Sequence, residues 1–179
     1  MAACAVSLKA TGPSAQFIRD LWEQVGAFET APSMAALGYP PHFSFLVCED
    51  ADPAEMADVV LPILREMPAL TVTFSRMEWF VAPRRVLWAA PDARAVAVLR
   101  DAHNALHAAL PGLRCQPHYA LGSWIPHCTL GLAFDELHVE AAEEFAATAL
   151  VPTDVVFDTA DVITFPPINV FAEATLRYL

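Results

Sequence analysis

Two stretches of this chain repeat each other at a nearly constant interval, and that limits the possible folds more than any other feature. His42 and His127 lie 85 residues apart, Pro83 and Pro166 lie 83 apart, and Val86 and Val170, each opening an apolar run, lie 84 apart. An offset shared by such different residues indicates an internal duplication. Solenoid repeats have periods of about 20 to 50 residues, so two copies of this length are expected to pack about a pseudo-twofold axis instead. Such an axis would place matching faces of the two copies on opposite sides of a cleft.

The repeated histidines sit in two similar segments, YPPHFSFL at 39–46 and WIPHCTLG at 124–131. Each histidine follows a proline, Pro41 or Pro126, which a strand tolerates at its start because no ladder N–H is needed there. Side chains alternate along a strand. His42 and Ser44 therefore share one face while Phe43 and Phe45 share the other, and His127 and Thr129 are opposed to Cys128 and Leu130 in the same way. Each strand is half core and half chemistry.

The remaining elements follow one order in both halves. Residues 3–9 read as a strand, and 14–28 as a helix with Phe17, Leu21 and Val25 at helical spacing. Asp52 suits the N-cap of a second helix with Pro53 at its first position, and Pro62 should kink or shorten it. Strands at 69–80 and 84–91 flank a turn at Ala82 and Pro83. The second half opens with a helix from about Asp92 to Leu110, closed by Pro111 and Gly112. A helix at 138–150 follows the second histidine strand, and two strands, 153–165 and 168–179, flank Pro166 and Pro167.

With 179 residues, 56% of them hydrophobic, the chain suits one domain, residues 1–179, with a sizeable core. No apolar run approaches the ~18 residues needed to span a bilayer, and the start MAACAVSLKATG lacks a basic stretch followed by an apolar one. A cytoplasmic protein without a membrane partner is expected. Cys4, Cys48, Cys115 and Cys128 show no close-spaced framework and read as free buried thiols. The formal charge of -11, with nine arginines and the single Lys9, argues against gripping a long duplex, whose affinity rests on many phosphate contacts. A small nucleotide or an RNA terminus needs only a few local donors and remains a suitable partner. A monomer is expected.

Two opposed imidazoles suit phosphodiester hydrolysis. Near neutral pH one can activate the attacking oxygen while the other protonates the departing one. Ser44 and Thr129 are placed to donate to the nonbridging oxygens, where charge accumulates. The scheme requires no metal and no cofactor. His42-Phe43-Ser44-Phe45 and His127-Cys128-Thr129-Leu130 resemble the paired His-x-Thr/Ser-x motifs of the 2H phosphoesterase superfamily, which includes 2′-5′ RNA ligases and cyclic phosphodiesterases. The resemblance spans nearly the whole chain. It implies an α+β fold of two pseudo-symmetric lobes, each an antiparallel sheet with helices outside, around a central cleft. It also implies hydrolysis of 2′,3′-cyclic phosphates or 2′-5′ linkages in RNA processing, with His42 and His127 catalytic. Reversible 2′-5′ RNA joining and a noncatalytic nucleotide-binding module are the alternatives. Several ligase-like members carry an arginine in a His-x-Thr-x-x-Arg arrangement; Leu132 occupies that place here.

Other residues have both a sharp reading and a bland one. Arg84 and Arg85, beside the hairpin turn, suit phosphate geometry, and Arg85 with Tyr119 completes the expected substrate-binding set. Tyr119 and Trp124 are candidates for stacking a base, although a core role suits Trp124 equally well. His103 and His107 are spaced i, i+4 as metal ligands can be, but Asn104 stands where a zinc-protease motif has glutamate, so a solvated helix face is preferred. A zinc cluster from Cys115, His118, His127 and Cys128 conflicts with alternation. Lys9-Ala10-Thr11-Gly12 has the form of a ligase Lys-x-x-Gly site, and a strand end entering a turn explains it more simply.

Overall fold

The structure, a computed structural model, describes residues 3–178. Its strands are β1 (Ala3–Lys9), β2 (His42–Cys48), β3 (Leu70–Phe80), β4 (Val86–Pro91), β5 (Cys128–Gly131), β6 (Thr153–Phe157), β7 (Thr159–Phe165) and β8 (Asn169–Thr175). Its helices are α1 (Gln16–Gly26), α2 (Pro53–Arg65), α3 (Ala93–Ala109) and α4 (Val139–Ala146). Two antiparallel sheets form, in the orders β2-β1-β7-β8 and β5-β4-β3-β6. The molecule is a two-lobed α+β fold. None of the described helices is long and apolar enough to cross a membrane.

The histidine strands occupy equivalent edge positions, β2 beside β1 and β5 beside β4. Each sheet takes a hairpin from the other half of the chain: β7 and β8 of the second half join β2 and β1, and β4 and β3 of the first half lie between β5 and β6. Each half of the duplication thus lends a two-strand hairpin to its partner's sheet.

This exchange corrects the expected single strand over 153–165. No glycine or proline interrupts that segment, yet Asp158 divides it into β6 and β7, which belong to different sheets. The Asp158 N–H donates to the Lys9 carbonyl at 3.0 Å, and its carbonyl accepts from Leu176 N at 2.8 Å. Its carboxylate accepts from the Thr11 N–H and hydroxyl and from the Tyr178 hydroxyl. With its hydrogen-bonding groups paired outside a single ladder, the residue can sit buried where the chain crosses between lobes.

The helices follow their local signals. Asp52 caps α2 by accepting from Ala54 N and Glu55 N, and Asp92 caps α3 through Arg94 N and Ala95 N. Helix α2 continues beyond Pro62 to Arg65, with Pro62 on its exposed side, where water can reach the Asp58 carbonyl that lacks its usual donor. The buried side of α1 is Ile18, Leu21, Trp22 and Val25, rotated from the expected line through Phe17. Helix α4 ends at Ala146, short of 150, and the last strand ends at Thr175; Leu179, expected within it, lies outside the described residues. One continuous core, including Phe43, Phe45, Phe74 and Phe157, joins both sheets. Cys4, Cys48 and Cys128 are buried free thiols, and Cys115 is a half-buried one.

Candidate active site

Alternation sets out the site as the sequence suggests. Phe43, Phe45, Cys128 and Leu130 are wholly buried, while His42, Ser44, His127 and Thr129 all face one cavity of about 960 Å³ between the lobes. Tyr119 lines it as well.

The two imidazoles are held in the same way. His42 Nδ1 lies 2.9 Å from the Pro40 carbonyl, and His127 Nδ1 lies 2.7 Å from the Ile125 carbonyl, in each case two residues upstream. A carbonyl only accepts, so Nδ1 carries the proton and Nε2 is left free for chemistry in the cleft. Burial holds both histidines below their ordinary value. For His42 the Pro40 carbonyl opposes that shift and the Lys9 charge adds to it. For His127 the Ile125 carbonyl opposes it, and charge on His42 and His118 adds to it. That charge on His42 reaches His127 is what a shared site produces.

Their surroundings differ. The Tyr39 ring meets His42 edge-on at 4.8 Å, whereas His127 packs edge-on against Phe80 at 5.1 Å and near Trp88 at 6.2 Å. The Tyr39 hydroxyl donates to the buried Asp161 carboxylate at 2.7 Å, and Lys9 Nζ lies 2.8 Å from that carboxylate and 2.9 Å from Glu173. Lys9 is therefore a buried ion-pair partner at a strand end, as the simpler reading of its tetrapeptide holds. Ser44, Ser7, Asp161 and Glu173 occupy successive register positions across the sheet, forming a polar row beneath the first motif. Alternation carried from Ala5 to Ser7 and Lys9 hints at this row, but Asp161 is 152 residues from Lys9 and nothing local links them.

The hydroxyl-bearing residues are pinned through their backbones. Trp22 of α1 donates its indole N–H to the Thr129 carbonyl at 2.9 Å, and Trp124 donates to the Ser44 carbonyl at 3.0 Å. Trp124 is buried and stacks on His103 at 4.5 Å, so its role is in the core. Helix α1 approaches β5 closely because residue 131 is glycine: a Cβ there would lie 2.7 Å from Val25 Cγ1. Tyr119 reaches toward the Ser44 side chain; burial raises its phenol, with that contact opposing.

Arg85 is not brought to the cleft. Its guanidinium pairs with Glu143 at 2.7 Å, and Arg84 is the one that lines the cavity. The sequence reading also misses Glu29, whose carboxylate accepts from Leu132 N at 2.7 Å, Ala133 N at 2.9 Å and the Ser33 hydroxyl. His103 and His107 both point Nε2 at the Tyr119 carbonyl, at 3.0 and 2.8 Å, and so hold the loop that precedes β5. No group of three or more His, Cys, Asp or Glu side chains among the described residues is arranged to hold a metal.

A family model of the 2′-5′ RNA ligase superfamily matches residues 13–165. Among solved structures, LigT of E. coli complexed with 3′-AMP is 16% identical, covers 98% of each chain and superposes with a TM-score of 0.63. TT0787 of Thermus thermophilus is 12% identical over 99% of each chain, with a TM-score of 0.64. Usb1 of Kluyveromyces marxianus is 15% identical over 92% of this chain and 97% of its own, with a TM-score of 0.58. At these identities the structural likeness speaks for the fold. No match was found among curated proteins.

Proposed function

The chain belongs to the 2′-5′ RNA ligase superfamily, and from that premise we propose that it is a metal-independent phosphodiesterase with His42 and His127 as its acid–base pair. Its substrates are 2′,3′-cyclic phosphates or 2′-5′ linkages of a small nucleotide or RNA end. Family membership supports phosphoesterase-type chemistry at nucleotide or RNA ends; the finer assignment is argued from the residues.

The observation that carries it is the matched locking of Nδ1 in both motifs, which leaves two Nε2 atoms facing one cavity. One imidazole, neutral at Nε2, takes a proton from water as its oxygen attacks phosphorus. The other, protonated at Nε2, gives its proton to the departing ribose oxygen as the P–O bond breaks. The pair ends with its protonation states exchanged and resets through solvent. Ser44 and Thr129 donate to the nonbridging oxygens, and backbone anchoring by Trp124 and Trp22 keeps those donors in place before substrate arrives. The E. coli LigT structures with 3′-AMP and with phosphate support a nucleotide phosphate as the ligand of such a cleft.

Hydrolysis of 2′,3′-cyclic AMP in the presence of EDTA tests the reading. His42→Ala and His127→Ala are each expected to lose at least about 100-fold in kcat while circular dichroism stays unchanged. Full activity in either folded variant would falsify the assignment.

A further inference from the structure

The walls of the cleft say more about substrate than its floor does. Above the histidines and hydroxyls they are formed largely by Leu37, Phe80, Ile125, Ile163, Phe165 and Ile168. Leu37 and Ile125 remain 40% and 44% exposed, so apolar surface continues to the mouth. Among the described residues, Arg84 is the only lysine or arginine lining the cavity. Two further cations are occupied, Lys9 by Asp161 and Glu173, and Arg85 by Glu143. Next to the second motif, the backbone N–H groups of Leu132 and Ala133 could have received an anion, but the protein's own Glu29 carboxylate fills that seat. The whole chain carries a formal charge of -11.

We propose that the cleft selects a substrate whose only negative charge is the reacting phosphodiester, borne on an otherwise uncharged, flat or apolar body. Nucleotide chains with further phosphates are disfavoured. The proposal rests on the phosphodiesterase reading above and chooses within it: a cyclic mononucleotide over an RNA end. One guanidinium and the two motif hydroxyls match a single phosphodiester charge. The cavity of about 960 Å³ accommodates a nucleoside, with its base against the apolar walls. A second or third phosphate would lie against those walls or in the field of an acidic surface, without a second lysine or arginine among the described lining residues to receive it. Both placements are unfavourable.

The test compares 2′,3′-cyclic AMP with a short RNA ending in a 2′,3′-cyclic phosphate. The expected kcat/KM favours the mononucleotide at least tenfold. Raising salt from about 0.05 to 0.2 M shortens the screening length to below about 10 Å at its upper end. That should increase kcat/KM for the RNA while changing the mononucleotide less than twofold, because the effect being screened is repulsion. A cation placed at the rim by Ala36→Lys, an exposed position on the cavity's edge, should raise kcat/KM for the RNA at least threefold and leave the mononucleotide within twofold. A preference below tenfold, or an RNA rate that falls with salt as counterion release requires, overturns the inference while the phosphodiesterase assignment survives. If neither substrate is hydrolysed, or if His42→Ala retains full activity on both, the assignment itself fails and this inference with it.

Discussion

Trp124 donates its indole N–H to the backbone carbonyl of Ser44 across a separation of 80 residues, tying the second motif's segment to the first motif's hydroxyl. The bond explains why a tryptophan that enters a histidine strand is buried in the core and still matters to the site. Replacing Trp124 with Phe retains most of the stacking surface toward His103 and leaves the Ser44 carbonyl without its donor. We expect a stability loss of about 1–3 kcal/mol in urea denaturation. We also expect kcat to fall by up to about 100-fold as Ser44 loses its position, with KM changing much less. Stability equal to wild type would show that the bond contributes nothing.

The Lys9–Asp161 pair predicts an asymmetry between breaking it and removing it. Both side chains are almost fully buried, at 5% and 0% exposure, whereas Glu173 is 58% exposed and adds little. Burial pushes the Asp161 carboxyl upward, with Lys9 and Tyr39 opposing. Asp161→Asn leaves the buried ammonium with only the exposed Glu173 as counter-charge and should cost up to about 3–5 kcal/mol. The double variant Lys9→Met, Asp161→Asn should recover a large part of that loss, read as a coupling energy in a double-mutant cycle. Additive losses would mean the two groups act independently.

These two examples mark what the sequence reveals and what it leaves hidden. Period-two alternation around His42 and His127 gives their faces correctly, and the offset near 84 residues anticipates two matching edge strands. Asp52 and Asp92 announce their helices because a cap acts through its next few residues. The crossing at Asp158 is silent, since 153–165 contains no glycine or proline and partners as distant as Thr11 and Lys9 create the break. The choice between Arg84 and Arg85 is hidden for the same reason: which of two adjacent guanidiniums faces the cleft depends on Glu143, on a helix 58 residues away. The Nδ1 locks are local, but they depend on the turn each proline imposes just before its strand, which alternation does not encode.

The pH dependence of hydrolysis follows from burial of the two rings. A free enzyme that needs one protonated and one neutral imidazole has kcat/KM highest between their two apparent pKa values. Both histidines are held below the ordinary 6.5. The optimum should therefore lie on the acid side of 6.5, and kcat/KM should decline as pH rises beyond it, because the acid member loses its proton. A plateau extending above about pH 8 contradicts the paired roles.

Histidine-ring ¹⁵N NMR probes the convergence of the two imidazoles most directly, using His42→Gln and His127→Gln variants to assign the signals. In the free protein above pH 7, both rings should report a protonated Nδ1 and an unprotonated Nε2. Adding inorganic phosphate should shift both Nε2 resonances along one binding curve. A ring with its proton on Nε2, or phosphate that moves one histidine and leaves the other unchanged, would contradict a common seat for phosphorus.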